Sequence, residues 1–267
     1  MIHSALLNVM IGAARKASRA LKRDFGELEK LQVSVKGPAN FASAADHRAE
    51  ETIYAELAKG RPGYGFLGEE GGSREGADKT HRWIVDPLDG TTNFLHGIPH
   101  FATAIALERD GVIVAGLVYN PITEELFIAE KGKGAFLNDR RMRVAARRNL
   151  GEALIGCPLP HLGRGSVSQN HEELAKIQPH VAGLRRSGAT ALDLAYVAAG
   201  RFDGCWDRDI HAWDVAAGLI LVREAGGFVT DLDGRDDMLV KGEVVAGNET
   251  IHGELLRAVT KAANRSA

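Results

Sequence analysis

Apolar residues recur at helical spacing from the start of the chain. Leu6, Val9, Met10, Ala13, Ala14, Ala17 and Leu21 fall on one face, with Arg15, Arg19, Lys22 and Arg23 largely opposite. The pattern predicts an amphipathic helix, and a solvated basic face accounts for it more simply than a partner site does. A polar stretch containing Lys36-Gly37-Pro38 runs from Val33 to Ala45, and a second helical pattern spans about Asp46 to Ala58, ending near Gly60 and Pro62. From Trp83 the period shortens. Trp83-Ile84-Val85 reads as a buried strand that stops at Asp86-Pro87 and delivers side chains at its end. Phe101 to Leu107 and Val112 to Tyr119 flank Asp110-Gly111, a hairpin signal. Glu125 to Ala129, Ala135 to Leu137 and Met142 to Ala145 extend this into an antiparallel meander, with turns at Gly132 to Gly134 and Asn138-Asp139.

The organisation changes near Arg147 to Gly151. Ala153 to Gly156 reads as a strand and Asn170 to Ile177 as a short helix. Thr190-x-x-Asp193 predicts a capping box ahead of Leu192, Ala195, Tyr196 and Ala199, with Gly200 closing the helix. Trp213 to Ala225 is a further helix that stops at Gly226-Gly227. The strands Gly227 to Thr230 and Val244 to Ala246 follow, and a last helix covers about Thr250 to Ala263. There is no internal repeat. The pattern predicts two parts sharing a cleft: α+β with an antiparallel sheet over 1–147, and α/β over 148–267.

Composition narrows the function classes. The 267 residues hold 33 Lys and Arg against 35 Asp and Glu, a net charge of −2. That balance lacks the global positive field of a nonspecific nucleic-acid binder, so no direct nucleic-acid partner is expected. No apolar run approaches the roughly 20 residues that span a bilayer. The longest, Val215 to Val222, is interrupted by Gly218. The first residues, with His3, Asn8, Arg15 and Lys16, have no signal-peptide core. Cys157 and Cys205 are too few for a disulfide framework or a zinc cluster and read as ordinary, partly buried thiols. A cytoplasmic protein with no membrane partner is expected, and its chemistry rests on where the acids sit.

They concentrate at Asp86-Pro87-Leu88-Asp89-Gly90-Thr91-Thr92-Asn93. Two carboxylates three residues apart, leaving an apolar strand, repel each other unless a cation neutralises them. Oxygen ligands of this kind suit Mg²⁺, which completes its shell with water and phosphate oxygens. Gly90-Thr91-Thr92 offers backbone N–H groups, and a helix starting there turns its positive end toward an anion. Asp-x-x-Asp alone is equally an Asp-Pro turn before a capped helix, and it is the attached Gly-Thr-Thr-Asn-Phe that favours phosphate-ester chemistry. Gly68-Glu69-Glu70-Gly71-Gly72 and Trp213-Asp214 supply further acids. Taken singly, the glutamates read as solvated loop charge and Asp214 as a helix-start acid.

Together these segments resemble the inositol monophosphatase family, the Mg²⁺-dependent, lithium-sensitive phosphatases. Asp86 to Asn93 matches the family signature D-P-[IL]-D-G-T-x-N, Trp213-Asp214-Val215-Ala216-Ala217-Gly218 its W-D-x-A-A-G motif, and Gly68-Glu69-Glu70 its upstream glutamate motif. The likeness runs from the first helix to Gly227, and Ser187 to Gly200 is most similar to bacterial members. The resemblance implies an α+β/α/β fold, the layered αβαβα sandwich of the inositol monophosphatase and fructose-1,6-bisphosphatase type, and a homodimer. It implies two Mg²⁺ ions and an optional third. Glu69 would bind the first metal and orient the attacking water. Asp86 would bridge the metals, the Leu88 carbonyl would complete a shell, and Asp89 and Asp214 would hold the second. Thr91 paired with Asp46 would activate the nucleophile. The Gly90 and Thr91 amides would bind phosphate, with Thr92, Thr190 and Asp207 on the substrate side and Lys36 in a loop near the metals. The implied reaction is direct hydrolysis of a phosphate monoester, inositol 1-phosphate first among them, with no covalent phosphoenzyme.

Two positions depart from the family pattern. Asp207 stands where inositol-specific members usually have a glutamate and is one methylene shorter, while Asn40 replaces a common loop aspartate and weakens the third-metal site. Both bear on substrate preference more than on catalysis. Histidinol phosphate, fructose 1,6-bisphosphate and 3′-phosphonucleotides are the competing substrates of the same superfamily. Thr92-Asn93-Phe94 favours the inositol branch, since the others often carry lysine and serine there. A regulatory role in a transcription or RNA-processing complex is the alternative from another class. His96, His100 and His211 lack metal-ligand spacing and read as supporting or surface residues. Arg185-Arg186 faces either the substrate or, preferably, a subunit interface, and Trp206 to Asp209 the mouth of the cleft.

Overall fold

The first apolar stripe forms helix α1 (Ala5–Phe25), capped by Ser4, whose hydroxyl accepts the Leu7 N–H at 3.1 Å. The structure, a computed structural model, describes residues 3–27, 33–37, 40–160 and 165–263, the side chains at 33–37, 40–43 and 261–263 excepted. Met10, Ala13, Ala14, Ala17 and Leu21 are buried with Ala45, Ala49, Ile53 and Leu57 of helix α2 (Ala44–Gly60) against one face of a large sheet. The polar stretch ahead of α2 is an antiparallel pair, β1 (Val33–Gly37) and β2 (Asn40–Ser43), which the pattern does not predict.

The large sheet is built from β3 (Tyr64–Gly68), β4 (Gly72–Arg74), β5 (Asp78–Asp89), β6 (Ala102–Arg109), β7 (Val112–Asn120), β8 (Glu125–Glu130), β9 (Gly134–Leu137) and β10 (Arg140–Arg141). Their order is β10-β9-β8-β7-β6-β5-β3-β4. From β5 to β10 the sheet is the expected antiparallel meander, and β3 joins it parallel to β5. The β6–β7 hairpin turns at Asp110 (φ 50°) and Gly111 (φ 77°), the doubly positive pair of a two-residue turn.

A second, mixed sheet has the order β12-β11-β13-β15-β14. Its strands are β11 (Leu154–Gly156), β12 (Gly183–Arg185), β13 (Gly204–Arg208), β14 (Phe228–Thr230) and β15 (Glu243–Gly247). Helices α5 (Thr190–Ala198) and α6 (Ala212–Glu224) fill the space between the sheets, packing on Ile84, Ala104, Val118 and Phe127 on one side and on Cys205, Val244 and Ala246 on the other. Helices α4 (Val167–Ile177) and α7 (Glu249–Ala263) cover the outer face through Ile177, Ile251, Leu255 and Val259. The layers are therefore αβαβα. The small residues of the Trp213 to Gly218 segment follow from this position. A Cβ on Gly218 would lie 2.5 Å from Leu194 Cβ, and one on Gly116 of β7 would lie 2.6 Å from the Ala217 carbonyl oxygen.

Two local expectations are corrected. Met142 to Ala145 is not a strand. After β10 only the Met142 N–H still bonds the first sheet, donating to Ala135, and the Val144 N–H donates to Ala225 as the chain crosses to the second sheet. Thr190 does not cap α5. Ala189, whose methyl group cannot accept a hydrogen bond, holds the cap position, and the Asp89 carboxylate from β5 accepts the Ala191 N–H at 2.8 Å instead. Gly200, at φ 69°, does close that helix: the Gly200 and Arg201 N–H groups donate to Val197 and Tyr196.

Candidate active site

Strand β5 delivers the signature. Trp83, Ile84 and Val85 are buried, and the β5–β6 register slips between Asp86 and Asp89, so Pro87-Leu88 bulges out of the ladder. The bulge is pinned by the Thr103 hydroxyl, which donates to the Pro87 carbonyl at 2.9 Å, and by Asp86, whose Oδ1 accepts the Leu88 N–H at 2.9 Å. Gly90 then sits at φ 90°, with its Cβ direction closed by the His100 carbonyl oxygen at 3.0 Å, and the short helix α3 (Thr91–Leu95) begins. Asn93 ties this turn to the chain before α5, its Nδ2 donating to the His100 and Ser187 carbonyls at 2.8 and 2.9 Å.

These residues open on a cleft of about 480 Å³. Glu69, Asp86, Leu88, Asp89, Gly90, Thr91, Thr92 and Asp214 line it, together with Arg186, Thr190, Asp193, Asp207, Arg208 and Asp209. Glu69 comes from the β3–β4 loop. Asp214 comes from the first turn of α6, where its Oδ2 accepts the His211 N–H at 2.7 Å. Burial, reinforced by the negative charges of Glu69, Asp89 and Asp214, pushes the Asp86 carboxyl well above its ordinary range. Burial and then Asp214 do the same at Asp89, opposed by the Ala191 N–H. Each acid feels the others, which is the electrostatic condition of a cation site. Among the described residues no three of these side chains enclose an ion unaided. The donor set of carboxylates with one backbone carbonyl is nonetheless all oxygen and fits a hard divalent cation such as Mg²⁺.

The sequence profile of the inositol monophosphatase family matches residues 3–264. The chain belongs to the inositol monophosphatase family. It is 62% identical over 261 residues to the inositol-1-monophosphatase of Mesorhizobium japonicum, covering 98% of each chain. It is 42% identical over 262 residues to the Nus factor SuhB of Pseudomonas aeruginosa, covering 95% of each. The crystal structure of the extragenic suppressor protein suhB from Bartonella henselae superposes with a TM-score of 0.94 at 56% identity, covering 97% of this chain and 99% of that one. As a member of the inositol monophosphatase family the protein is a metal-dependent phosphoric monoester hydrolase.

Within this inositol monophosphatase fold the acids of all three family motifs line one cleft. Asp46 does not line it. It is buried in the first turn of α2, and the Thr91 hydroxyl donates to the Leu88 carbonyl at 3.1 Å. The side chains of Lys36 and Asn40 lie outside the described residues. Thr190 and Asp207 meet directly, the Thr190 hydroxyl donating to Asp207 Oδ2 at 2.8 Å while Oδ1 accepts the Arg208 N–H at 2.9 Å. Burial lifts the Asp207 carboxyl to about 6, with Thr190, the Arg208 amide and Arg186 opposing. His96 is exposed at the end of α3, His100 is half-buried with a ring that burial keeps less basic, and His211 precedes α6. Both cysteines are buried free thiols. Cys157 lies on the cleft wall, where burial raises it to about 11.

Asp193, read as a helix-capping residue, and Arg186, read as facing the substrate or preferably a subunit interface, both line the cleft. Arg186 lines the cleft, and its charge acts on both Asp193 and Asp207. Asp193 is one turn beyond Thr190, and the three-residue spacing that suggested a cap is also the spacing that puts two side chains on one helix face. Burial lifts the Asp193 carboxyl to about 7, with the Ser187 hydroxyl opposing, from an ordinary 3.8. Between those values the folded chain holds a proton that the unfolded chain has lost, so unfolding releases it and the site's contribution to stability falls as pH rises. Asp193→Asn is therefore expected to gain stability relative to the native chain between pH 4 and pH 7, measured by urea denaturation in chelator. A gap that shrinks with rising pH would contradict the assignment.

Proposed function

We propose that the protein hydrolyses inositol 1-phosphate to inositol and phosphate, using two Mg²⁺ ions. The observation that supports it most is that Glu69, Asp86, Asp89 and Asp214 line one cleft, where burial and the other three raise the Asp86 carboxyl, beside the glycine turn that opens α3. Glu69, Asp86, the Leu88 carbonyl, Asp89 and Asp214 would hold the ions. When bound, these lower the pKa of a water and stabilise charge on the leaving oxygen. Glu69 would orient the attacking water, and Thr91 would activate it with Asp46 once its hydroxyl turns from the Leu88 carbonyl. The Gly90 and Thr91 amides receive the phosphate, with Thr92 alongside. Asp207, held by Thr190 and Arg208, accepts hydrogen bonds from the hydroxyls of the alcohol. By the family likeness Lys36 would act near the ions, and Asn40 would weaken a third. Lithium sensitivity, a homodimer and a cytoplasmic location accompany this reading. No helix among the described residues is long and apolar enough to cross a membrane. The identity to an inositol-1-monophosphatase, higher than that to a Nus factor SuhB, favours the enzymatic over the regulatory reading.

The test is phosphate release from inositol 1-phosphate, histidinol phosphate, fructose 1,6-bisphosphate and a 3′-phosphonucleotide, with Mg²⁺ and with chelator. Inositol 1-phosphate is expected to have the highest kcat/KM, and all release to stop in chelator. A higher kcat/KM for another ester would reassign the substrate, and release that ignores chelation would remove the metal mechanism.

A further inference from the structure

The loop that carries Glu69 is gripped from behind by a carboxylate that does not line the cleft. Glu50 lies on α2 one turn after Asp46 and is 1% exposed. Its Oε2 accepts the Glu70 N–H at 2.8 Å and its Oε1 accepts the Gly71 N–H at 2.6 Å. Two charge-assisted bonds to successive amides fix the peptide planes directly after Glu69. The flanking glycines make room for that grip. A Cβ on Gly68 would collide with Glu50 Oε2, and one on Gly71 would lie 2.7 Å from Oε1. Neither glycine is at positive φ, so close approach, and not backbone conformation, is what excludes a side chain there. The neighbouring ion pairs use other acids: Arg74 pairs with Glu51, and His47 lies 3.0 Å from Glu70.

We propose that Glu50 is a positioning residue that sets the Glu69 carboxylate for metal binding through the Glu70 and Gly71 amides. The inference rests on Glu69 being a metal ligand, as proposed above. Glu50 touches neither ion nor substrate, so its loss leaves the donor set intact and weakens its geometry. In Glu50→Gln the side-chain nitrogen faces one of the two N–H groups, turning a hydrogen bond into a donor–donor contact. Gly71→Ala displaces the same carboxylate without changing any charge.

The experiment is Mn²⁺ binding to the full chain, followed by electron paramagnetic resonance, together with the Mg²⁺ dependence of phosphate release. Glu50→Gln and Gly71→Ala are each expected to weaken Mn²⁺ binding by about 10–100-fold, the range for residues that support metal ligands. The Mg²⁺ concentration for half-maximal activity rises by the same factor, while KM for the ester at saturating Mg²⁺ and the far-UV circular dichroism stay unchanged. Glu51→Gln, at the exposed pair next door, binds Mn²⁺ as the native chain does. Native Mn²⁺ affinity in Glu50→Gln, or in Gly71→Ala where the first variant does not fold, overturns the inference. Glu69→Gln separates the two readings. If it loses Mn²⁺ while the Glu50 variant keeps it, only the positioning role fails. If Glu69→Gln itself binds normally, the ligand assignment fails and carries this inference with it.

Discussion

Asp89→Asn is expected to remove Mg²⁺-dependent phosphate release while leaving the fold in place. Replacing residues that merely support a ligand costs 10–100-fold, so loss of a ligand carboxylate should cost more than about 100-fold in kcat/KM. The fold survives because the bond that Asp89 Oδ2 accepts from the Ala191 N–H needs only an oxygen, which an asparagine side chain also has. The substitution also takes a negative charge away from Asp214, Asp193 and Glu69, all of which push the Asp89 carboxyl upward. In chelator, then, Asp89→Asn should melt no lower than the native chain, and with its activity gone. Turnover near the native rate would sink the metal assignment. A lower Tm in chelator would sink the account of repulsion.

The second large effect is on stability. Glu173 of α4 is fully buried and accepts Trp206 Nε1 at 2.9 Å and Arg208 Nε at 2.7 Å, while Arg208 Nη1 reaches Glu243 of β15 at 2.8 Å. This network ties the outer helix layer to the two strands that flank the cleft's alcohol side. Glu173→Ala removes one partner and leaves the indole N–H and part of the guanidinium buried without an acceptor. Breaking a buried pair in this way costs about 3–5 kcal/mol. In a chain of this size that lowers Tm by roughly 6–20 °C. Scanning calorimetry in the absence of ligands measures it, and a shift of less than about 2 °C would mean that water replaces the lost acceptor at little cost.

How far these features can be read from the chain depends on whether their causes are local. Helix α1 is legible because one stripe meets one neighbouring layer, and α6 because its middle, Val215 to Val222, is buried on every side and apolar. The five residues of β13 escape notice. Their ladder partners lie about fifty residues back at Ile155 and forty ahead at Val245, and their own pattern, Gly-Cys-Trp-Asp-Arg, has no strand period. Met142 to Ala145 alternates like a strand and is a crossing between sheets. At Thr190 a valid capping rule loses to a carboxylate 102 residues away. The site divides in the same way. Asp86, Asp89 and their glycine turn are contiguous and stand out. Glu50, Asp193 and Arg186 acquire meaning only where helices and loops close on one another.

The first turn of α5 has a consequence for changing this protein. Its Ala191 N–H holds Asp89 from the cation side of the cleft, and its Thr190 hydroxyl holds Asp207 on the alcohol side. Two adjacent residues thus serve as a shared hinge pin for both halves of the chemistry. On the proposed assignment, reshaping the alcohol pocket through Thr190 is expected to disturb ion retention as well, and any coupling between the two sides is reciprocal. On the proposed assignment, changes in substrate range and in metal requirement would pass through the same turn of helix.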